Sequence, residues 1–155
     1  KNLVNSNAQL FGQYFKALGL IGCMPNLLVA HIIETFISPL NASVLHIGLV
    51  QAFGTAAGAL LNISGMLVAG LIFYGTGIFL FGEILPILRK TRSPLSVYVL
   101  PLIGAILVVP YIPVGFPAVI GAITRVKFRS MVLLLACALT LRAVLLIAFL
   151  PTGLL

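Results

Sequence analysis

The chain has 155 residues, of which 61% are hydrophobic and only 7% are charged, and its mean hydropathy is +1.25. A typical soluble domain is about 25% charged, so this chain lacks the polar residues that would cover a water-facing surface. The composition therefore argues against a soluble enzyme, a nucleic-acid-binding module and a disordered chain. It predicts an all-α, polytopic integral membrane protein with four to six hydrophobic segments, in a single transmembrane domain over residues 1–155.

The charge balance favours lipid partners. Nine Lys and Arg residues against two acidic residues give a net charge of +7. The basic residues lie at the ends of apolar runs, as in loops on the cytoplasmic face of a membrane, and no basic stripe interleaved with aromatic residues indicates nucleic acid. We expect membrane lipids as partners, with a second copy of the chain or other membrane subunits as further partners. The expected location is a bacterial or archaeal cytoplasmic membrane, with an organelle membrane as the alternative.

The first segments in chain order are interrupted by prolines. Residues 3–24 begin polar and turn apolar, which predicts an interfacial helix (residues 1–16) that leads into the membrane and ends near Gly22 and Pro25. Residues 26–40 are apolar but short for a full crossing. They form either a half-membrane helix or the continuation of a kinked one.

The next stretch, residues 35–82, contains no Lys, Arg, Asp or Glu and is long enough for two helices. We predict these helices over about residues 43–61 and 65–88, with a break at residues 62–64. The pattern Gly54-Thr-Ala-Ala-Gly58 places two glycines four residues apart. It is either a close packing seam with another helix or a chance feature of a span rich in Gly and Ala.

A proline-rich stretch follows. Residues 93–124 carry no charge but contain five prolines, which exclude one straight helix. Basic clusters flank the stretch at residues 89–92 and 125–129, and the positive-inside rule would place both clusters on the same side. At ~1.5 Å per residue this length is too short for two crossings of ~30 Å each. We therefore predict a re-entrant hairpin, with one full span plus an extended loop as the alternative. The hairpin enters over residues 95–109, breaks at 110–117 and leaves over 118–124.

Residues 130–150 form the last predicted span, and Arg142 lies inside it. Arg142 is 13 residues beyond Arg129, or ~20 Å along a helix. Either it extends to the far interface, or it faces inward and binds an anionic substrate group such as phosphate.

His31 and Glu34 are spaced to share one face of a helix. Such a pair relays protons or faces a substrate; the alternative is a hydrogen-bonded polar pair near the interface. A metal site would need further carboxylates from other helices, and we predict no metal and no cofactor. The two thiols, Cys23 and Cys137, lie in apolar surroundings, which favours two buried free cysteines over a disulfide.

The candidate site residues share a place in, or next to, these interrupted segments. As substrate-binding or proton-coupling residues we predict His31, Glu34, Arg142, Pro110, Pro113 and Pro117. Further candidates are His46, Glu83, Arg125 and Arg129. Glu83 either pairs with a neighbouring cation at the interface or is a buried carboxylate opposite Glu34. Since GxSxG, Walker and HExxH motifs are missing, an enzyme is the less favoured class.

The stretch from Pro110 to Arg129, followed by an apolar helix with Arg142, resembles the second half of the DedA/VTT membrane protein family. Upstream, residues 34–43 and 54–58 resemble the first re-entrant segment and the glycine-rich helix of that family. The resemblance covers about residues 30–150. It implies movement of phospholipids or isoprenoid lipid carriers across the bilayer with proton coupling. It also implies that Glu34 is the acid of the family and that Arg125 or Arg129 belongs to its basic turn.

Two departures accompany this resemblance. The family carries arginines around the prolines of its second segment, whereas residues 110–117 contain none, and its acidic pair is reduced here to Glu34.

The function that the sequence favours is a small membrane transporter or lipid translocator, with a site near mid-membrane formed by broken helices. The alternative is a non-catalytic integral membrane subunit of a larger complex.

Overall fold

A computed structural model describes residues 2–36, 42–83, 96–109 and 112–149, and every regular element within these ranges is an α-helix. The all-helical prediction is therefore confirmed for the described part of the chain. In chain order the helices are α1 (Asn2–Phe36), α2 (Ala42–Phe53), α3 (Thr55–Glu83), α4 (Ser96–Val108), α5 (Gly115–Ile123) and α6 (Phe128–Phe149).

Three of these helices are long and apolar enough to cross a membrane. The qualifying stretches have mean hydropathies of 1.6, 1.9 and 2.5 and are Asn7–Phe36 in α1, Thr55–Phe81 in α3 and Phe128–Ala148 in α6. At ~1.5 Å per residue the stretches in α3 and α6 are long enough for a hydrocarbon core of ~30 Å, and the stretch in α1 qualifies by its number of residues and composition. The lengths and compositions of these helices support an integral membrane protein.

Helix α1 is interrupted at Gly19, whose backbone dihedrals are φ 69° and ψ 176°. A positive φ is accessible to glycine without steric cost. The Tyr14 hydroxyl donates to Asn26 Oδ1 at 3.2 Å across this break, whereas residues twelve apart in a straight helix are ~18 Å apart. The helix is therefore bent, and the prediction of an end near Gly22 and Pro25 is wrong. Pro25 lies inside the second half of α1, which agrees with the kinked-helix alternative.

The turn between α2 and α3 lies at Gly54, which has a φ of 83°. The predicted break at residues 62–64 is wrong, because those residues lie inside α3. A Cβ atom added at Gly58 would lie 2.6 Å from the backbone of Leu49. The backbones of α2 and α3 thus touch at Gly58, whereas Gly54 turns the chain and has no close neighbour, so the two glycines do not form one shared packing face.

Helices α4 and α5 are short, with 13 and 9 residues. Their lengths of about 20 and 14 Å are well below a bilayer core. The interruption between Val108 and Gly115 overlaps the first part of the predicted break at residues 110–117, whereas residues 115–117 belong to α5. Pro110 and the basic cluster at residues 89–92 lie outside the described residues, as does the predicted end of the second helix near Pro86.

Helix α3 is the centre of the bundle and packs against α1, α2, α5 and α6, while α4 packs on α5 and α6. The largest apolar cluster joins α3 to α6 and includes Phe73, Leu107, Ala118 and Leu135. Lipid tails are as apolar as these side chains, so close packing rather than the hydrophobic effect holds such helices together. In the described part of the break between α4 and α5, Val114 is buried in this cluster, Ile112 and Pro113 are half-buried and Val109 is exposed.

Candidate polar site inside the helical bundle

Five polar or charged side chains are buried in the described part of the chain, each with at most 5% of its surface exposed. They come from four helices and are His31, Glu34, His46, Asn62 and Arg142. A buried ion costs several kcal/mol unless other groups compensate its charge. A membrane protein that keeps such groups inside has a candidate site there.

His31 and Glu34 form the first contact of this site. His31 Nδ1 lies 3.1 Å from Glu34 Oε2, and the two side chains share one face of α1. The Thr35 hydroxyl donates to the backbone carbonyl of His31 at 3.2 Å one turn later. In this contact the donor is His31 Nδ1 when Glu34 is a carboxylate, because a carboxylate only accepts hydrogen bonds. The pair is enclosed by protein.

Arg142 contributes the buried cation. Its side chain is 1% exposed, and its Nη1 donates to the Ile112 carbonyl at 2.9 Å. Electrostatic interactions also connect Arg142 with Glu34 and with His46. Of the two predicted alternatives, the structure therefore shows the inward-facing cation and not a side chain that extends to the interface.

The acceptor of Arg142 belongs to the irregular backbone between α4 and α5. Such backbone has carbonyl groups that no helix satisfies, and lipid cannot satisfy them either. The start of α5 packs directly on the end of α1. A Cβ atom at Gly115 would overlap Thr35 Cγ2 and lie 2.8 Å from Phe73 Cδ2. Only glycine at position 115 therefore lets the start of α5 pack this closely against Thr35, the residue that follows Glu34.

His46 and Asn62 form a second buried contact that the sequence indicated only weakly. Asn62 Nδ2 lies 3.3 Å from His46 Nδ1 and joins α2 to α3. His46 was a lesser candidate, and Asn62 lay at a predicted helix break. The available signal was the presence of both side chains in a stretch that has no charge, but Asn41 and Gln51 lie in the same stretch and gave the same signal.

The remaining predicted site residues lie elsewhere. Pro113 is half-buried between α4 and α5, and Pro117 is buried in the first turn of α5. Arg125 is exposed in the turn between α5 and α6, and Arg129 is exposed in the first turn of α6. Glu83 is the last residue of α3, and its side chain lies outside the described part, as does Pro110.

The two cysteines differ in environment. Both are free, but Cys23 is buried and Cys137 is exposed, so the prediction of two buried thiols is wrong for Cys137. Cys137 lies on the outer face of α6, where the described part of the chain leaves it exposed. Within the described ranges, no group of three or more His, Cys, Asp or Glu side chains converges to hold a metal ion.

Comparisons with known protein families, with curated proteins and with solved structures found no match to this chain. The resemblance to the DedA/VTT family therefore stays a prediction. What identifies the site is its geometry. A buried guanidinium donates to the backbone at the break between α4 and α5, and a buried carboxylate–imidazole pair lies at the end of α1, which Gly115 contacts just after that break.

Proposed function

We propose that the protein is a small membrane transporter or lipid translocator whose substrate passes the buried polar site. One observation carries this proposal: Arg142, buried inside a membrane-length helix, donates to the backbone at the break between α4 and α5. Transporters commonly place their binding sites where interrupted helices meet near mid-membrane. Ionisable residues kept inside a membrane protein mark substrate or proton pathways.

Three of the five buried residues, Arg142, His31 and Glu34, have a role in this proposal. Arg142 attracts an anionic group, and a guanidinium matches the geometry of a phosphate. The His31–Glu34 pair changes its protonation as the substrate enters and leaves, which couples movement to protons. An anionic phospholipid offers both a phosphate for Arg142 and acyl chains for the apolar outer faces of the helices. The proposed setting is the cytoplasmic membrane of a bacterium or archaeon.

The proposed path includes a re-entrant hairpin made of α4 and α5. Single cysteines at residues 90 and 127, introduced as Lys90→Cys and Lys127→Cys in a chain without Cys23 and Cys137, test its topology. A membrane-impermeant maleimide added to sealed vesicles should label both positions from the same side. Labelling from opposite sides would contradict the hairpin.

The activity is tested with the purified chain in liposomes. A fluorescent phosphatidylglycerol analogue reports translocation, since dithionite bleaches only the outer leaflet. Glu34→Gln and Arg142→Gln should each abolish any flipping that the wild-type chain produces. Lys127→Gln is the matched control, because it removes an exposed cation that has no part in the site, and it should keep full activity.

A double variant separates loss of function from loss of folding. Glu34→Gln with Arg142→Gln removes both charges together, so no buried ion is left without compensation. We expect this variant to stay monodisperse in detergent and to remain inactive. Wild-type flipping that survives in the folded double variant would overturn the proposal.

A second candidate is a non-catalytic subunit of a larger membrane complex. Exposed polar side chains line a cleft of about 400 Å³ between α1 and α2, and these residues are Gln9, Gln13, Lys16 and Gln51. A partner subunit could satisfy this polar face better than lipid does. This candidate predicts that the chain aggregates in detergent without a partner and that liposomes containing it alone show no flipping.

A further inference from the structure

A second polar region of the molecule lies outside the buried site, in the cleft of about 400 Å³ between α1 and α2. Gln9, Gly12, Gln13 and Lys16 line it from α1, and Gln51 lines it from α2. The three polar residues of α1 are four and three positions apart, so they share one face of that helix. None of the lining residues belongs to the five buried polar residues described above.

Close contacts between α1 and α2 form the base of this cleft. A Cβ atom added at Gly12 would lie 3.2 Å from the Gly48 carbonyl oxygen and 3.4 Å from Gln51 Oε1. A Cβ atom added at Gly48 would lie 3.2 Å from the Ala8 carbonyl oxygen. The two backbones therefore approach each other directly, and the Gln51 side chain lies beside Gly12. The packing of the two helices fixes the distance between the walls of the cleft.

The cleft carries a positive charge. Of the described residues that line it, Lys16 is a cation and none is acidic. The sequence has no acidic residue before Glu34 and none between Glu34 and Glu83, so neither wall contains a carboxylate. Among the described residues no ion pair involves Lys16. The walls therefore offer a cation to an anionic ligand, without an acid that would compete for it.

The other side chains of the cleft narrow the class of this ligand. An ammonium group provides three donors, and each glutamine amide provides two N–H donors and one carbonyl acceptor. Donors grouped around a cation match the oxygen atoms of a phosphate, and the amide carbonyls match hydroxyl groups. A choline group would have no hydrogen to donate to these carbonyls. The volume of about 400 Å³ lies within the range of small-ligand sites.

We propose that this cleft binds the anionic headgroup of a glycerophospholipid, whose phosphate contacts Lys16 and whose hydroxyl groups contact the glutamines. Basic pockets between membrane helices bind anionic headgroups in other proteins. The interfacial position predicted for residues 1–16 puts the cleft at the depth of the headgroups. The inference goes beyond the proposed transport function, because a lipid held here does not enter the site at Arg142.

The test is native mass spectrometry of the purified full chain, titrated in detergent with short-chain phosphatidylglycerol or phosphatidylcholine. The wild-type chain should bind phosphatidylglycerol more tightly. Lys16→Gln should weaken this binding about tenfold, because it removes a charge-assisted hydrogen bond. Lys127→Gln is the matched control, since it removes one exposed cation outside the cleft, and it should keep wild-type affinity. Equal affinities of the two variants would overturn the proposal.

A variant of the opposite wall separates a headgroup site from general attraction by charge. Gln51→Leu leaves the net charge unchanged and removes one amide, so it should weaken binding of phosphatidylglycerol about fivefold. Thr76→Leu is its control, because Thr76 is an exposed polar residue of α3 that does not line the cleft. If the two variants bind equally well, charge alone attracts the lipid and the headgroup site is disproved.

Two further measurements separate the cleft from other sources of binding. Glycerol 3-phosphate carries a phosphate and hydroxyl groups without acyl chains, and at equal concentration it should not displace the lipid. Displacement would make this a site for a soluble phosphate and contradict the proposal. The effect of Lys16→Gln should also persist in the Glu34→Gln, Arg142→Gln double variant, even if the transport proposal fails. Its loss there would assign the lipid to the site at Arg142.

Cysteine protection distinguishes a lipid from a protein subunit. Gln13→Cys, in a chain without Cys23 and Cys137, should react more slowly with a maleimide in nanodiscs of phosphatidylglycerol than in nanodiscs of phosphatidylcholine. Protection in native membranes, without protection in either nanodisc, would assign the cleft to a partner subunit and overturn the lipid site.

Discussion

Two groups of cations in the last third of the chain have opposite environments. Arg142 is 1% exposed and donates to the break between α4 and α5. Arg125 and Lys127 are exposed in the turn before α6, and Arg129 is exposed in the first turn of α6. Tyr74 anchors the turn by donating to the Val126 carbonyl. The comparison teaches that the position of a cation relative to the helix ends decides its environment. A cation near a helix end is exposed, whereas a cation in the middle of a long apolar helix has to be compensated inside the bundle.

The largest expected change in stability comes from replacing the buried cation of this comparison and not an exposed one. Arg142→Gln removes the cation that interacts with Glu34 and leaves a carboxylate buried without it, which should lower the free energy of unfolding by about 3 kcal/mol. Lys127→Gln removes an exposed cation and should leave stability unchanged. Denaturation by SDS in mixed micelles measures both. Equal stabilities of the two variants would show that Arg142 is not held inside the bundle.

A smaller loss of stability is expected at Gly115, where the start of α5 packs against α1 and α3. Gly115→Ala places a methyl group against Thr35 and Phe73, and overpacking of this kind costs about 1–3 kcal/mol. Gly75→Ala faces open space and serves as its control. The same unfolding assay compares the two. A Gly115→Ala variant as stable as the control would mean that α5 does not press on the end of α1.

The smallest expected effect is a difference in labelling rate between the two cysteines. They repeat the comparison of a buried and an exposed position with uncharged side chains. In detergent micelles an apolar maleimide should react readily with the exposed Cys137 and slowly with the buried Cys23. Mass spectrometry of the labelled chain measures both rates. Comparable rates would contradict the packing of α1 in the bundle. Protection of Cys137 in native membranes, set against its reactivity in micelles, would show that another chain covers this face of α6.

The sequence located the polar site better than it located the helix ends. The spacing of His31 and Glu34 predicted a shared face, and the prolines near residue 110 predicted a break; the structure contains both features. The helix ends were misplaced because polarity was taken as the sign of a break. Asn62 is accommodated inside α3 by His46, whereas Gly54 turns the chain because its φ of 83° needs no side chain.

Hydropathy and charge spacing by themselves determined that this is a helical membrane protein with interrupted segments, because lipid allows no exposed backbone and tolerates few charges. The tertiary structure decided the direction of Arg142, the partnership of His46 with Asn62 and the approach of Gly115 to Thr35. These features depend on contacts between residues 16 to 80 positions apart in the chain. Local pattern does not encode such contacts, since they arise only when whole helices pack.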